Sequence, residues 1–242
     1  IEMVAVPGNH EMLYSRKVND EWKEFPLAFS TDVWMKHMAD YMPAKRDHVT
    51  GSDSLVNRMT FSFIRKNIGF IVMNTDTYNS PTPNSKYGKE GLIPLSWVLN
   101  KIQEYQQLGS VEHIFLLGHR PYYVNGNPVV DHAGLPDGPV LWPAMNKAGV
   151  TALLSAHVHD YQRYQPGGKG AYQIIAGNAG SDGEATFFGY TTINVHKSGK
   201  TRLIAKGFDI GDPYTTVTDG SSTIRDSTTL LLSKNGNPYP DN

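Results

Sequence analysis

No cysteine occurs among the 242 residues. That absence excludes disulfides, thiolate metal ligands and a cysteine nucleophile, and it leaves the compartment open. Charge of either sign is not in excess: 22 basic and 23 acidic side chains give a net charge of −1. The footprint of a nucleic-acid surface or a polybasic membrane patch is therefore missing. Apolar runs stop at about strand length, so no membrane span is expected. No Gly-rich loop of the nucleotide-binding kinase kind is present. No methionine or polar leader precedes Ile1-Glu2-Met3-Val4-Ala5-Val6. A chain that opens on a core-strand pattern reads as one that begins partway through a domain.

What is present is ordinary for a soluble globular protein: 39% hydrophobic and 19% charged residues, over a length that supports one large domain with a full core. Strand-like runs fall at residues 3–6, 59–64, 70–74, 114–117, 150–155, 172–176, 191–195 and 202–205. Helical patterns fall at residues 20–41, 95–107 and 140–147. In the second of these, Leu95, Val98, Leu99, Ile102 and Tyr105 form one apolar stripe, read as core packing. Loops rich in Pro, Gly and Asn occupy residues 78–91, 123–138 and 166–170. Residues 209–242 are rich in Thr, Ser, Gly and Asp, a composition that fits an edge hairpin or a linker. The alternation predicts an α/β fold, with a main domain over 1–208 and a C-terminal tail over 209–242.

Three histidine-bearing motifs share one setting. Gly8-Asn9-His10-Glu11, Gly118-His119-Arg120-Pro121 and Ala156-His157-Val158-His159 each follow a predicted buried strand and open a loop. In a mostly parallel sheet the strand ends converge on one edge, where ligand sites form. Imidazoles suit zinc, iron and manganese, and amide or carboxylate oxygens can complete a shell. His157 and His159 share a face in a strand but can diverge toward two adjacent ions in a loop. Asn9 offers an amide oxygen, and His10 beside it is placed to donate to a phosphoryl oxygen or leaving group.

In these motifs the sequence resembles the calcineurin-like metallophosphoesterases, over most of its length and in the family's order. Within that superfamily it is most similar to the purple acid phosphatase type. Gly118-His119-Arg120-Pro121-Tyr122-Tyr123 is similar to that type's His-x-Pro-x-Tyr motif, and His157-Val158-His159-Asp160-Tyr161-Gln162-Arg163 to its His-Val-His-x-Tyr-Glu-Arg motif. Ala156 stands where the family often has Gly. Serine/threonine protein phosphatases share Gly-Asn-His-Glu but not the last motif.

The resemblance implies a four-layer α/β/β/α sandwich of two mixed sheets flanked by helices, N-terminally truncated here. It implies hydrolysis of phosphate esters, with a phosphomonoesterase reading ahead of a phosphodiesterase or nucleotidase on the same core. A non-catalytic binding module derived from the fold is a third reading. It implies two metal ions (Fe, Zn or Mn) in the intact protein and a small phosphate-ester substrate. Asn9, His119 and His157 would bind one metal and His159 the other. His10 would contact the phosphate and protonate the leaving group.

His132 lies in the loop where related phosphatases carry substrate-binding histidines. Tyr122 either lines the substrate pocket or caps the core. Asp160, Tyr161 and Arg163 either orient the ligands from behind or belong to a packed loop, and Glu11 supports the site by holding its loop through backbone hydrogen bonds. Export is compatible with the likeness. The family pattern also has an Asp motif and a Gly-Asp motif before Gly-Asn-His-Glu, whereas only seven residues precede Gly8 and Gly211-Asp212 lies at the other end. Without the bridging carboxylate, weak metal binding and impaired turnover are expected of this stretch of chain.

Overall fold

Two successive residues with positive φ, Asn19 at 53° and Asp20 at 63°, decide the local structure of the first 30 residues. Side chains that can bond their own backbone tolerate this conformation, and two in a row make the tight turn that matches the twist of a hairpin. The computed structural model, which describes residues 3–27, 29–49, 59–76, 92–131, 134–179, 185–196, 200–208 and 222–230, accordingly shows strand β1 (Leu13–Val18) paired antiparallel with β2 (Glu21–Pro26). The helix expected over 20–41 starts only at Ser30: α2 is Ser30–Met38, followed by a single 3-10 turn at Ala39–Tyr41. Trp22 and Phe25, three apart as in a helix, lie instead on a hairpin strand, where Tyr14 stacks on Phe25 and Arg16 lies over the Phe25 ring. The strand expected at residues 3–6 is also absent. Val4, Ala5 and Val6 pack half-buried against the cluster around Trp34, Met59 and Phe61, and no strand among the described residues pairs with them.

The remaining pattern folds as its periods predict. Among the described residues the main sheet has seven strands: β3 (Asp47–His48), β4 (Phe61–Arg65), β5 (Ile68–Val72), β6 (His113–Leu117), β9 (Ala152–Ser155), β10 (Tyr161–Tyr164) and β11 (Tyr172–Ala176). Their order is β10-β11-β9-β6-β5-β4-β3. β5, β6, β9 and β11 run parallel, and antiparallel strands close both sides. Helices α3 (Leu95–Gln107) and α4 (Gly138–Ala148) make the crossovers between β5, β6 and β9, as parallel pairing requires. They bury Val98, Ile102, Leu141 and Met145 against Ile71, Leu116 and Leu153 on one sheet face. A two-residue pair of strands, β7 (Tyr123–Val124) and β8 (Asn127–Pro128), decorates the loop before α4.

The opposite face, carrying Phe115, Ala152 and Ile174, meets Leu203 and Leu230 of a second sheet. This sheet is β12 (Phe188–Val195), β13 (Thr201–Phe208) and β14 (Thr223–Leu230), antiparallel throughout. A large mixed sheet flanked by helices and backed by a smaller sheet is thus the architecture; α2 lies on the small-sheet side, beside β4. Residues 223–230, assigned to the tail by composition, form the edge strand β14. No helix among the described residues is long and apolar enough to cross a membrane.

Two polar clamps tie the sheets together. His113, wholly buried, bonds through Nδ1 to Thr201 Oγ1 at 3.1 Å. Arg163 grips Asp226 of β14 with Nε and Nη2 at 2.6 and 3.0 Å, while the Tyr161 hydroxyl donates to the same carboxylate at 2.6 Å. Burial holds the His113 pKa below the ordinary histidine value of 6.5. The unfolded chain therefore binds the proton more tightly, and stability falls as pH drops through 6.5 toward the lowered folded value. Urea titrations between pH 7.5 and 5 are expected to show this fall, and His113→Asn to flatten its slope. Asp226→Ala is expected to cost about 2 kcal/mol, because it removes charge-assisted bonds from two partners; an unchanged urea midpoint would contradict the clamp.

Candidate metal centre

The ends of β5, β6 and β9 stay laced together beyond the last strand residue. Met73 N–H donates to Leu117 O at 2.7 Å, Gly118 N–H to Leu154 O at 3.1 Å and Ala156 N–H to His119 O at 3.0 Å. The 118–120 and 156–160 segments are thereby held side by side at the carboxyl edge of the parallel strands. Residues 3–8 bring the third motif to the same edge. There α1 (Asn9–Met12) is one helical turn, closed by Glu11 accepting the Gly8 N–H at 2.8 Å. Glu11 thus holds its loop through the backbone.

Three side chains meet at this edge. His119 Nε2 lies 2.9 Å from Asn9 Oδ1 and 3.1 Å from His157 Nδ1. The two imidazoles stand edge to face, with ring centroids 4.9 Å apart. Asn9 is buried, while His119 and His157 are half-buried. Gly8 makes the approach possible: a Cβ there would sit 2.9 Å from His119 Nδ1. His157 adopts a positive φ of 61° at the centre of a three-residue turn closed by Val158 N–H to Ala156 O at 2.7 Å. A second such turn, Asp160 N–H to Val158 O at 2.8 Å, surrounds His159. Gly177 permits this loop, since its Cβ would fall 2.0 Å from Val158 O. A non-glycine residue with positive φ costs of order 1–3 kcal/mol and gathers at functional sites.

Burial lowers the His119 pKa; Asp76 and Glu11 oppose that shift, and Arg120 and His10 add to it. The ring is therefore neutral near pH 7, as a metal ligand must be. The donor set fits an ion. Two ligand atoms about 2.1 Å from a metal lie roughly 3.0 Å apart at a right angle and about 3.4 Å apart in a tetrahedron; the spacings here, 2.9 and 3.1 Å, sit at the short end of that range. One imidazole proton at most is available to His119 Nε2, so it cannot serve as a separate hydrogen-bond donor to each neighbour. A cation would satisfy all three lone pairs. Among the described residues no group of three or more His, Cys, Asp or Glu side chains is placed to hold a metal, so the cluster consists of one amide and two imidazoles.

The other sequence-selected residues lie as follows. His10 is exposed beside Asn9, and His159 is exposed two residues beyond His157. Tyr122 is 8% exposed and packs in the core against Trp142 and Tyr123. Its N–H donates to Gln173 Oε1 at 3.0 Å. Asp160 accepts from Thr186 Oγ1 at 3.0 Å and so anchors its loop toward β12. Arg163 faces Asp226, as above. His132 and the 78–91 loop lie outside the described residues.

Sequence reasoning gave no role to Asp76 and Arg120, which form a fully buried ion pair, Nε to Oδ1 at 2.6 Å, directly behind His119. A carboxylate closing the apolar run Ile68–Val72, Met73, Asn74, Thr75, Asp76 was the available signal. Its partner, 44 residues away, carried none.

The calcineurin-like phosphoesterase family model matches residues 1–161, a span that holds all three histidine-bearing motifs. No curated protein matches the chain. Among solved structures, PhoD superposes with a TM-score of 0.51 at 12% identity, over 86% of this chain and 47% of that one. GAP50, described as the anchor in the inner membrane complex of Plasmodium, gives 0.48 at 14% identity, over 78% and 54%. A Vps29 single mutant from Entamoeba histolytica gives 0.27 at 10% identity, over 65% and 97%. The chain spans about half the length of the first two.

The close packing at Gly8 can be tested directly. Gly8→Ala is expected to displace the His119 ring at an overpacking cost of about 1–3 kcal/mol, with the His119 imidazole resonances shifting in the metal-free protein. Unmoved resonances would show that the ring does not depend on this glycine.

Proposed function

The chain belongs to the calcineurin-like phosphoesterase family, and from that premise we propose that it carries the metal-dependent hydrolysis of phosphate esters, with monoesters as substrates in the manner of purple acid phosphatases. The observation that carries the reading is the convergence of Asn9 Oδ1, His119 Nε2 and His157 Nδ1 within 2.9 and 3.1 Å. Asn9, His119 and His157 would hold one ion of a pair, and His159 would contribute to the other. Bound metal supplies Lewis-acid charge at the phosphoryl oxygens and a water of lowered pKa.

The chain's own residues do the positioning. Glu11 fixes the Asn9 turn, and the edge ladder fixes His119. The strained turn at His157 aims that ring at its neighbour. His10, exposed next to Asn9, is placed to donate a hydrogen bond to a phosphoryl or leaving-group oxygen. The absence of a cysteine nucleophile is consistent with direct attack by water.

The three donors are all uncharged, so these residues alone would hold a divalent ion weakly and turnover would be slow. Titration of Mn²⁺ or Zn²⁺ into the 242-residue chain, followed by calorimetry, is expected to show binding that His119→Ala and Asn9→Ala each weaken. The loss should exceed the roughly 10–100-fold that removal of a ligand's hydrogen-bond partner costs. Affinity unchanged in both variants would sink the metal site, and two tightly held ions per chain would contradict weak binding. With metal supplied in excess, an aryl phosphate monoester should be cleaved faster than a bis-aryl diester. The reverse order would replace the phosphomonoesterase reading with the phosphodiesterase one.

A further inference from the structure

Behind His119 lies a polar network with no exposure to solvent. Asp76 and Arg120 have no exposed side-chain surface and pair through Nε and Oδ1 at 2.6 Å. Burial strips both charges of their hydration, and an apolar pair of similar volume would serve the fold as well or better. The rest of the network ties Arg120 to residues 74–76 and these to Thr60, just before β4. Arg120 N–H donates to Thr75 Oγ1 at 3.0 Å. The Thr75 hydroxyl in turn donates to Asp76 Oδ2 at 3.0 Å. Asp76 N–H is held by Asn74 Oδ1, and Asn74 N–H by Thr60 Oγ1, each at 3.0 Å. Thr75 also presses on the residue before the histidine, for a Cβ on Gly118 would lie 2.7 Å from Thr75 Cγ2. His119 thus sits between two residues seated on the end of β5, while its own carbonyl accepts from Ala156 N–H.

We propose that the buried Asp76–Arg120 pair, with Thr75, positions the His119 ligand, fixing the 118–120 backbone so that the imidazole reaches Asn9 and His157. The inference rests on the metal reading above and extends it to residues that touch neither metal nor substrate. A purely structural pair and a positioning pair differ in one respect. Replacing both charges by apolar groups satisfies the first role but not the second, because the Arg120 side chain no longer grips the end of β5.

The test uses Co²⁺ as the probe, read by titration and by the visible absorption of the bound ion. In Asp76→Leu/Arg120→Met, the thermal midpoint is expected to hold or rise, while Co²⁺ affinity falls about 10–100-fold and the absorption envelope changes. Thr75→Val is expected to weaken Co²⁺ binding, and Thr75→Ser, which keeps the hydroxyl, to retain it. These two substitutions leave the ion pair in place and serve if the double variant does not fold. Native uptake of Co²⁺ that is lost in His119→Ala but kept, with an unaltered spectrum, in the double variant or in Thr75→Val would overturn the positioning role alone. No uptake by the native chain, or equal uptake by His119→Ala, would overturn the metal reading and this inference with it.

Discussion

The hydrogen-bond ladder between β5, β6 and β9 does not end where the strands end, and the candidate site depends on that continuation. Residues 73, 118 and 156 each donate one more bond across the edge, so loops that would otherwise be mobile inherit the registration of the sheet. Parallel pairing puts all three ends on the same side. It also requires helical crossovers, and α3 and α4 bury the apolar face that holds the sheet flat against them. The position of two imidazoles is thus a consequence of core packing on the far side of the sheet from the second, antiparallel one.

That dependence explains what could be read in the sequence. The stripe from Leu95 to Tyr105 keeps helical period over its whole length, and the helix forms over Leu95–Gln107, thirteen residues. The runs before Gly118 and Ala156 are short, apolar and bounded by glycine or histidine, and both are strands that deliver their motifs to one edge. Where two elements compete within one window, period alone misleads. Residues 20–41 contain a hairpin strand, a left-handed Phe29 with φ 63° and a short helix, and their apolar residues average into a false helical signal. The Asn19-Asp20 pair was the better guide, because backbone conformation there overrides side-chain period. Composition over 209–242 leaves an edge hairpin and a linker both open for another reason: the inward residues of β14 are few, and Asp226 holds the strand through Arg163 and Tyr161 rather than through an apolar stripe.

The site draws on stability stored elsewhere. His157 occupies a left-handed backbone, and the Asp76–Arg120 pair is wholly desolvated; each costs free energy in isolation. Neither is sustained by its immediate neighbours alone. Gly177 admits the Val158 carbonyl that the His157 turn brings close, and Gln173 uses both ends of its amide. Its oxygen accepts from the Tyr122 and Tyr123 N–H groups, while its nitrogen donates to Leu153 O and Ser155 Oγ. The loop after His119 and the strand before His157 are therefore fixed by one buried side chain on β11. Strain at one edge is thus borne by buried hydrogen bonds that join β11 to β9 and to the loop after β6.

Charge balance sets the chemistry that such a site favours. Asn9, His119 and His157 are neutral donors, and burial keeps His119 neutral. Arg120, the nearest fixed cation in the sequence, is committed to Asp76, so the pair contributes little net field at the ring. A divalent ion on these donors would retain nearly its whole charge and seek an anion. A phosphate monoester carries two negative charges near neutral pH and a diester only one. Under the proposed reading, an ion held by uncharged donors would favour the more highly charged ester. In that reading metal affinity and substrate preference would both follow from one feature, the lack of ionised ligands among Asn9, His119 and His157.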